Sequence, residues 1–310
     1  MKFVFIGHVD HGKSTLGGQI LVKTGNINNR DIKKIKKKAK ELKMPNWWLA
    51  HILDESEFEK VKGKTYYFHV YSFKYKEKDY EIIDVPGHKE YVNQMIYGAS
   101  MADVAVLILS IRKGEYNDGI NGGESINHTL IARGMGIKSL IVCVNKMDTI
   151  NWNVEKYNFI VKDFLKFIKK FKFEDVIFIP MSAYLGDNII DRYDHPLVTC
   201  SFIEALDGIK IVPKYTRLVK PENYRVKCEL IFWCVNNVIA NGYVCKLHTN
   251  DELFNAKFVE IKNDKYFFIT KNNSKGKIVN VVLELNTNEP IHDKIILRDG
   301  NQTIAIGILD

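Results

Sequence analysis

An α/β domain followed by a small all-β domain is the fold this sequence predicts, and three observations carry it. From Lys2 to about residue 210, short apolar strands alternate with helical patterns. The first of those strands ends at Gly7 and runs through a glycine-containing loop straight into a helix. Past Pro213 and Pro221 the helical pattern stops, and strand-type runs separated by turns take over. Alternation of the first kind folds as a mostly parallel sheet with helices on both faces. Strands without helices close into a small barrel or sandwich. The division expected is 1–210, a linker at 211–221 and a β-domain at 222–310. A chain of 310 residues suits two domains of roughly 100–200 residues each.

Taken in order, Lys2–Ile6 is a short apolar strand, and a helix with apolar Leu16, Ile20 and Leu21 follows Ser14. Residues 24–62 contain no convincing strand. Asp31 is expected to cap a basic helix from Ile32 to Leu42, and Trp47 and Trp48 mark an irregular stretch. Tyr66–Tyr75 reads as a strand that turns at Lys76-Glu77-Lys78 and returns as Asp79–Val85. Strands are then expected at Val104–Leu109, Ser139–Val144 and Val176–Ile179. Helices are expected at Ser125–Arg133, Val154–Lys170 and Phe202–Leu206. In the β-domain the runs Val226–Cys234, Tyr243–His248, Lys265–Thr270 and Ile278–Leu285 read as strands.

Composition narrows the function classes. With 46% hydrophobic and 26% charged residues the chain can bury ordinary cores. No run approaches about 20 apolar residues, so no membrane span is expected. Met1 lies too close to Gly7 for a signal or transit peptide; a cytoplasmic protein is expected. The net charge of +8, mostly from lysine, suits work near RNA or ribosomes. It equally suits an AT-rich genome that inflates Lys, Asn and Ile together, and charge alone implies no DNA partner. Cys143, Cys200, Cys228, Cys234 and Cys245 form no CxxC pair and read as reduced thiols.

Four motifs carry chemistry. Gly7-His8-Val9-Asp10-His11-Gly12-Lys13-Ser14 matches GxxxxGK[ST] between a strand and a helix. There the backbone N–H groups and helix N-terminus cradle phosphates, Lys13 reaches the β- and γ-phosphates, and the Ser14 hydroxyl ligates Mg²⁺. Thr15 belongs to the same cradle. His8 and His11 read as loop spacers beside a phosphate site, with a metal reading as the alternative. Asp84-Val85-Pro86-Gly87 ends a strand. Its carboxylate can hold Mg²⁺ through water and its glycine N–H can touch a γ-phosphate, although a plain β-turn has the same composition.

Asn145-Lys146-Met147-Asp148 caps another strand and decides the base. A carboxylate there accepts both N1–H and the 2-amino group of guanine, a donor pair adenine lacks. Ser182-Ala183-Tyr184 follows a further strand, where a backbone N–H can meet guanine O6. Four elements in this order, each at a strand end, predict a P-loop, Ras-like G domain that takes GTP or GDP with Mg²⁺.

These motifs, with His88 following DVPG, resemble those of eukaryotic elongation factor one-alpha and its relatives, the class II release-factor GTPase and the ribosome-rescue GTPase. Lys62-Gly63-Lys64-Thr65 resembles the release-factor version of switch I, which implies that Thr65 closes over Mg²⁺ and the γ-phosphate. The resemblance implies that His88 positions the attacking water, so the expected catalytic set is His88, Thr65 and Lys13. Arg112-Lys113-Gly114-Glu115 and Gly98-Ala99-Ser100 favour the release or rescue branch. Two stretches depart from the family. Glu124-Ser125-Ile126-Asn127-His128 stands where Gln-Thr-Arg-Glu-His is usual, and Tyr66-Tyr67 where smaller residues are usual.

The family's G domain precedes two β-barrels, but only one barrel's length follows residue 220. Tyr224–His248 and Leu297–Gly307 resemble the beginning and end of the third domain. The second domain is therefore expected to be missing. In the release and rescue branch the third domain holds a tRNA-shaped partner and the second grips the small ribosomal subunit. The resemblance thus implies a class I release-factor-like or rescue-factor-like partner, with weakened ribosome binding. The basic stretches Lys33–Lys43 and Lys166–Lys172 either face rRNA or are solvated helix faces. A GTPase switch is the leading expectation, and a non-cycling module that holds GTP or GDP while binding a translation factor is the alternative.

Overall fold

The computed structural model describes residues 1–54, 56–62, 65–121, 123–211, 214, 217–233, 238–250, 252–262, 268–269 and 278–310. Cys234 and part of the Lys265–Thr270 run, together with four residues of the expected linker, lie outside them. The chain divides into two units, one of Met1–Thr129 with Ile137–Val212 and the other of Leu130–Gly136 with Pro213–Asp310.

The first unit is a six-stranded sheet in the order β2-β3-β1-β4-β5-β6. Its strands are β1 (Lys2–Ile6), β2 (His69–Tyr75), β3 (Lys78–Asp84), β4 (Val104–Ser110), β5 (Ser139–Asn145) and β6 (Asp175–Pro180). The helices of the chain up to residue 210 are α1 (Lys13–Lys23), α2 (Asn29–Glu41), α3 (Glu57–Lys62), α4 (Val92–Met101), α5 (Glu115–Ile120), α6 (Glu124–Gly134), α7 (Val154–Ile168) and α8 (Phe202–Gly208). Every pairing except the β2–β3 hairpin is parallel. Buried parallel strands need apolar side chains on both faces. β4 and β5 supply them, with all seven residues of each buried. Phe3, Phe5, Leu16, Ile20, Ile108 and Phe202 pack together on one face of this sheet.

The sequence reading needs correction at α2. The helix starts three residues earlier than expected because Asn28, not Asp31, is the N-cap. Asn28 accepts the Asp31 N–H at 2.9 Å and its amide donates to the Asp31 carboxylate at 2.6 Å. Between α2 and α3, single 3₁₀ turns at Pro45–Trp47 and Ala50–Ile52 form a strap against α1. Gly18 makes that packing possible. A Cβ there would fall 2.0 Å from the Leu49 carbonyl oxygen, so only glycine lets the strap's backbone touch the helix.

The second unit carries two short antiparallel strand pairs, β7 (Leu218–Val219) with β14 (Ile291–His292) and β9 (Ile239–Ala240) with β12 (Phe268–Ile269). Its body is a closed barrel of β8 (Arg225–Phe232), β10 (Val244–His248), β11 (Leu253–Lys262), β13 (Ile278–Leu285), β15 (Lys294–Asp299) and β16 (Gln302–Leu309), in the order β10-β11-β13-β8-β16-β15. The sequence pattern left barrel and sandwich open; closure decides for the barrel. β8 and β13 alternate exposed and buried residues along their length, and Cys228, Leu230, Phe232, Val281 and Leu283 fill the interior. Cys143, Cys228 and Cys245 are buried free thiols. Among the described residues no helix is long and apolar enough to cross a membrane.

Candidate functional site

The C-terminal ends of β1, β3 and β5 open onto one cleft of about 430 Å³, where ligands of open α/β sheets usually bind. The loop after β1 contributes Val9, Asp10, Gly12, Lys13, Ser14 and Thr15 to its wall. Thr65 enters from the loop before β2, Gly87 and His88 from the loop after β3, and Asn145, Lys146 and Asp148 from the end of β5. Residues from these four separate stretches of sequence thus converge on one space.

Lys13 anchors the cradle. Its Nζ donates to the carbonyl oxygens of Gly7 at 3.0 Å and His8 at 2.9 Å, which holds the ammonium in the loop it belongs to. Burial pushes its pKa down to about 8, against the pull of the Asp84 carboxylate. Gly87 approaches so closely that a Cβ there would lie 2.5 Å from Lys13 Nζ; a side chain would displace the cation.

Three oxygens gather beside it. Ser14 Oγ donates to Asp84 Oδ2 at 2.9 Å and lies 3.3 Å from Thr65 Oγ1. The other Asp84 oxygen, Oδ1, is buried without a hydrogen-bond partner among the described residues. Burial raises the Asp84 pKa to about 6 despite the nearby Lys13. A carboxylate with one orphaned oxygen, flanked by two hydroxyls, is a hard-oxygen donor set that fits Mg²⁺. Asp54 lines the same cleft, and its pKa rises to about 7 through burial and the charges of Asp84 and Glu59.

Asn145 ties the two ends of the cleft together. Its amide donates to the His11 carbonyl at 2.9 Å, and its Oδ1 accepts the N–H groups of Lys146 at 2.7 Å and Ala183 at 2.9 Å. Lys146 Nζ reaches the Asp10 carbonyl at 2.7 Å and the Glu115 carboxylate at 2.6 Å. Asp148 and Tyr184 complete the wall at this end.

The sequence-predicted residues divide into those that line the cleft and those that brace it. Gly7, His8, His11, Ser182 and Ala183 brace it. The Gly7 N–H donates to His128 Nδ1 and the His8 N–H to Ser125 Oγ, each at 3.3 Å. The His11 ring is buried between the carbonyls of Ile108 at 3.1 Å and Glu115 at 3.0 Å, and burial lowers its pKa to about 4. The Ala183 N–H is committed to Asn145, because a buried donor at a strand end needs a permanent acceptor.

Sequence reasoning missed Asn46, Trp47 and Ala50 of the strap, with Tyr91, Arg112, Glu115 and Thr149. It also missed that Ser125 and His128 support the first loop. No periodicity marks such residues; only the adjacent tryptophans at 47 and 48 hinted at a buried strap.

The family model for the elongation factor Tu GTP binding domain matches residues 1–239. The chain belongs to that family. Among translational GTPases it is similar to eukaryotic peptide chain release factor GTP-binding subunits. The one from Zygosaccharomyces rouxii is 36% identical over 277 residues, covering 85% of this chain and 41% of the relative. The one from Kluyveromyces lactis is 39% identical over 271 residues, covering 84% and 39%. The chain therefore spans about two fifths of these relatives' length. In fold it is similar to the S. cerevisiae Ski7 GTPase-like domain bound to GDP and inorganic phosphate. That likeness has a TM-score of 0.80 at 16% identity and covers 100% of this chain and 97% of the other. Within the GTP-binding-domain family, the cleft described above is the candidate nucleotide site.

Proposed function

We propose that this chain is a GTPase switch of translation termination or ribosome rescue, binding GTP with Mg²⁺ in the cleft and hydrolysing it to GDP and phosphate. The observation that carries the reading is the convergence of Lys13, Ser14, Thr65, Gly87, His88 and Asp148 on one space. Asp148 selects guanine through N1–H and the 2-amino group. Lys13 and the N–H groups opening α1 hold the phosphates. Ser14 and Thr65, with Asp84 through water, would hold Mg²⁺, which neutralises phosphate charge when bound.

His88 is partly exposed and stands at the mouth, its Nδ1 accepting the Glu90 N–H at 3.4 Å. That contact leaves Nε2 to orient a water towards the γ-phosphorus. The water oxygen forms the new bond, and the bond from phosphorus to the β–γ bridging oxygen breaks to release GDP. Loss of the γ-phosphate then frees Thr65, and a partner reads the difference.

The barrel is assigned to the family's third domain, which supports a class I release-factor-like or rescue-factor-like partner. GTP hydrolysis by the full chain, with and without ribosomes, tests the reading, alongside a pull-down of both partner types. Tight GTP binding with no turnover under either condition would favour the non-cycling module instead.

A further inference from the structure

The backbone that presents Thr65 hangs from one buried carboxylate. Glu59 of α3 is fully buried, and its Oε1 accepts the N–H groups of Tyr66 at 2.9 Å and Tyr67 at 3.4 Å, the two residues after Thr65. Its Oε2 accepts the Ser56 hydroxyl at 3.0 Å and the Ser56 N–H at 3.4 Å, while Ser56 Oγ accepts the Glu59 N–H at 3.1 Å. That reciprocal pair is a capping box, which fixes the start of α3. His69, the first residue of β2, places Nε2 3.4 Å from Oε2. One side chain therefore joins the start of a helix, the residues after Thr65 and the start of a strand.

A capping box needs only one of the two carboxylate oxygens. The other is spent on the peptide groups that set the direction of Thr65, whose Oγ1 lies 3.3 Å from Ser14 Oγ. The 2.9 Å bond from the Tyr66 N–H is charge-assisted and so stronger than a neutral one, and it fixes that peptide plane better than an exposed loop contact would. We propose that Glu59 is the positioning residue for Thr65 and sets how well the chain distinguishes GTP from GDP. This rests on the nucleotide reading given above. Thr65 faces the metal and γ-phosphate side of the cleft, so its misplacement weakens GTP and leaves GDP bound as before. A role confined to capping α3 would not separate the two nucleotides.

The test compares binding of fluorescent GDP and a non-hydrolysable GTP analogue, both with Mg²⁺, to the full chain and its variants. Glu59→Ala is expected to weaken the GTP analogue by about tenfold or more and GDP by no more than about twofold. Glu59→Gln keeps an acceptor for Tyr66 and Tyr67 and should lose less. Ser56→Ala removes the cap alone and should leave the ratio of affinities at the native value. Combining Glu59→Ala with Thr65→Ala should lose no more than Thr65→Ala by itself, because both act through one contact. In the nucleotide-free chain, the Tyr66 and Tyr67 amides should exchange faster in Glu59→Ala. Should that variant fail to fold, Glu59→Asp, too short to reach both N–H groups, carries the same comparison. Equal weakening of both nucleotides, or no change in either, overturns the proposal. A native chain that binds no guanine nucleotide overturns the function proposed above instead.

Discussion

Replacing Asn145 with alanine should damage the first unit more than any other single change at the cleft. The side chain is almost fully buried and makes three hydrogen bonds, to the His11 carbonyl and from the Lys146 and Ala183 N–H groups. Alanine would strand two buried groups, the His11 carbonyl and the Ala183 N–H, since both residues are closed to water. Each stranded group costs about 1–3 kcal/mol, so the expected loss is about 2–6 kcal/mol. Lys146 is less enclosed and its N–H can turn to water, so it adds little.

For a unit of this size each kcal/mol lowers Tm by about 2–4 °C, which puts the shift on the order of 10 °C. Urea unfolding followed by tryptophan emission is the assay, because three of the four tryptophans, Trp47, Trp48 and Trp152, belong to the first unit, and Trp233 of the second can be replaced by phenylalanine. Guanine nucleotide affinity should fall with stability, since the same side chain holds the loop ending in His11 against the loop carrying Tyr184. A loss below about 1 kcal/mol would show that the three bonds are not the tie between those loops.

Asp148→Asn should weaken GTP strongly and shift preference towards xanthine nucleotides, whose 2-oxo group suits an amide donor; ATP displacing GTP equally well from the native chain would refute this. His88→Ala should leave nucleotide affinity nearly unchanged while lowering turnover, whereas Lys13→Ala should impair binding itself; native turnover by His88→Ala on ribosomes would remove that histidine from the reaction. Asp54 carries a pH signature, its carboxyl pushed by burial from the ordinary 3.8 to about 7. A raised carboxyl pKa means the folded state binds the proton more tightly, so stability falls as pH rises from about 4 through about 7. Asp54→Asn should therefore raise the Tm of the nucleotide-free chain at about pH 8, by an amount worth up to about 4 kcal/mol. The gain should vanish near pH 4, and equal melting curves at the higher pH would contradict it.

Much of the first unit was legible because its signals are local. A strand, a phosphate-type loop and a helix lie within the first 23 residues, and β4 and β5 carry unbroken apolar runs at Val104–Leu109 and Leu140–Val144. The elements that escaped share a physical reason each. β11 buries Ala256 and Phe258 but then Ile261, because a register shift between Phe258 and Glu260 moves the pattern by one residue. A bulge of this kind destroys the period of two on which strand reading depends. β15 buries five consecutive residues and so never alternates. α4 buries Val92, Met95, Ile96 and Ala99 at helical spacing, but it is only ten residues long and Gly98, a poor helix former pressed against Val85, interrupts the pattern. At the cleft, motif residues were found by their spacing. The strap and Glu59 were not, because they act on the motifs from neighbouring elements and have no spacing of their own.

The position of β2 at the rim of the sheet has a mechanical consequence. Among the described residues it pairs with β3 alone, whereas β1 is zipped between β3 and β4. The stretch from Thr65 to Phe68 feeds into that rim strand, while the loop from Gly7 to Gly12 springs from the interior one. Peeling the first therefore breaks a single ladder, and disturbing the second means splitting the sheet down its middle. The two walls of the cleft thus differ in the number of ladders that anchor the strand behind each of them.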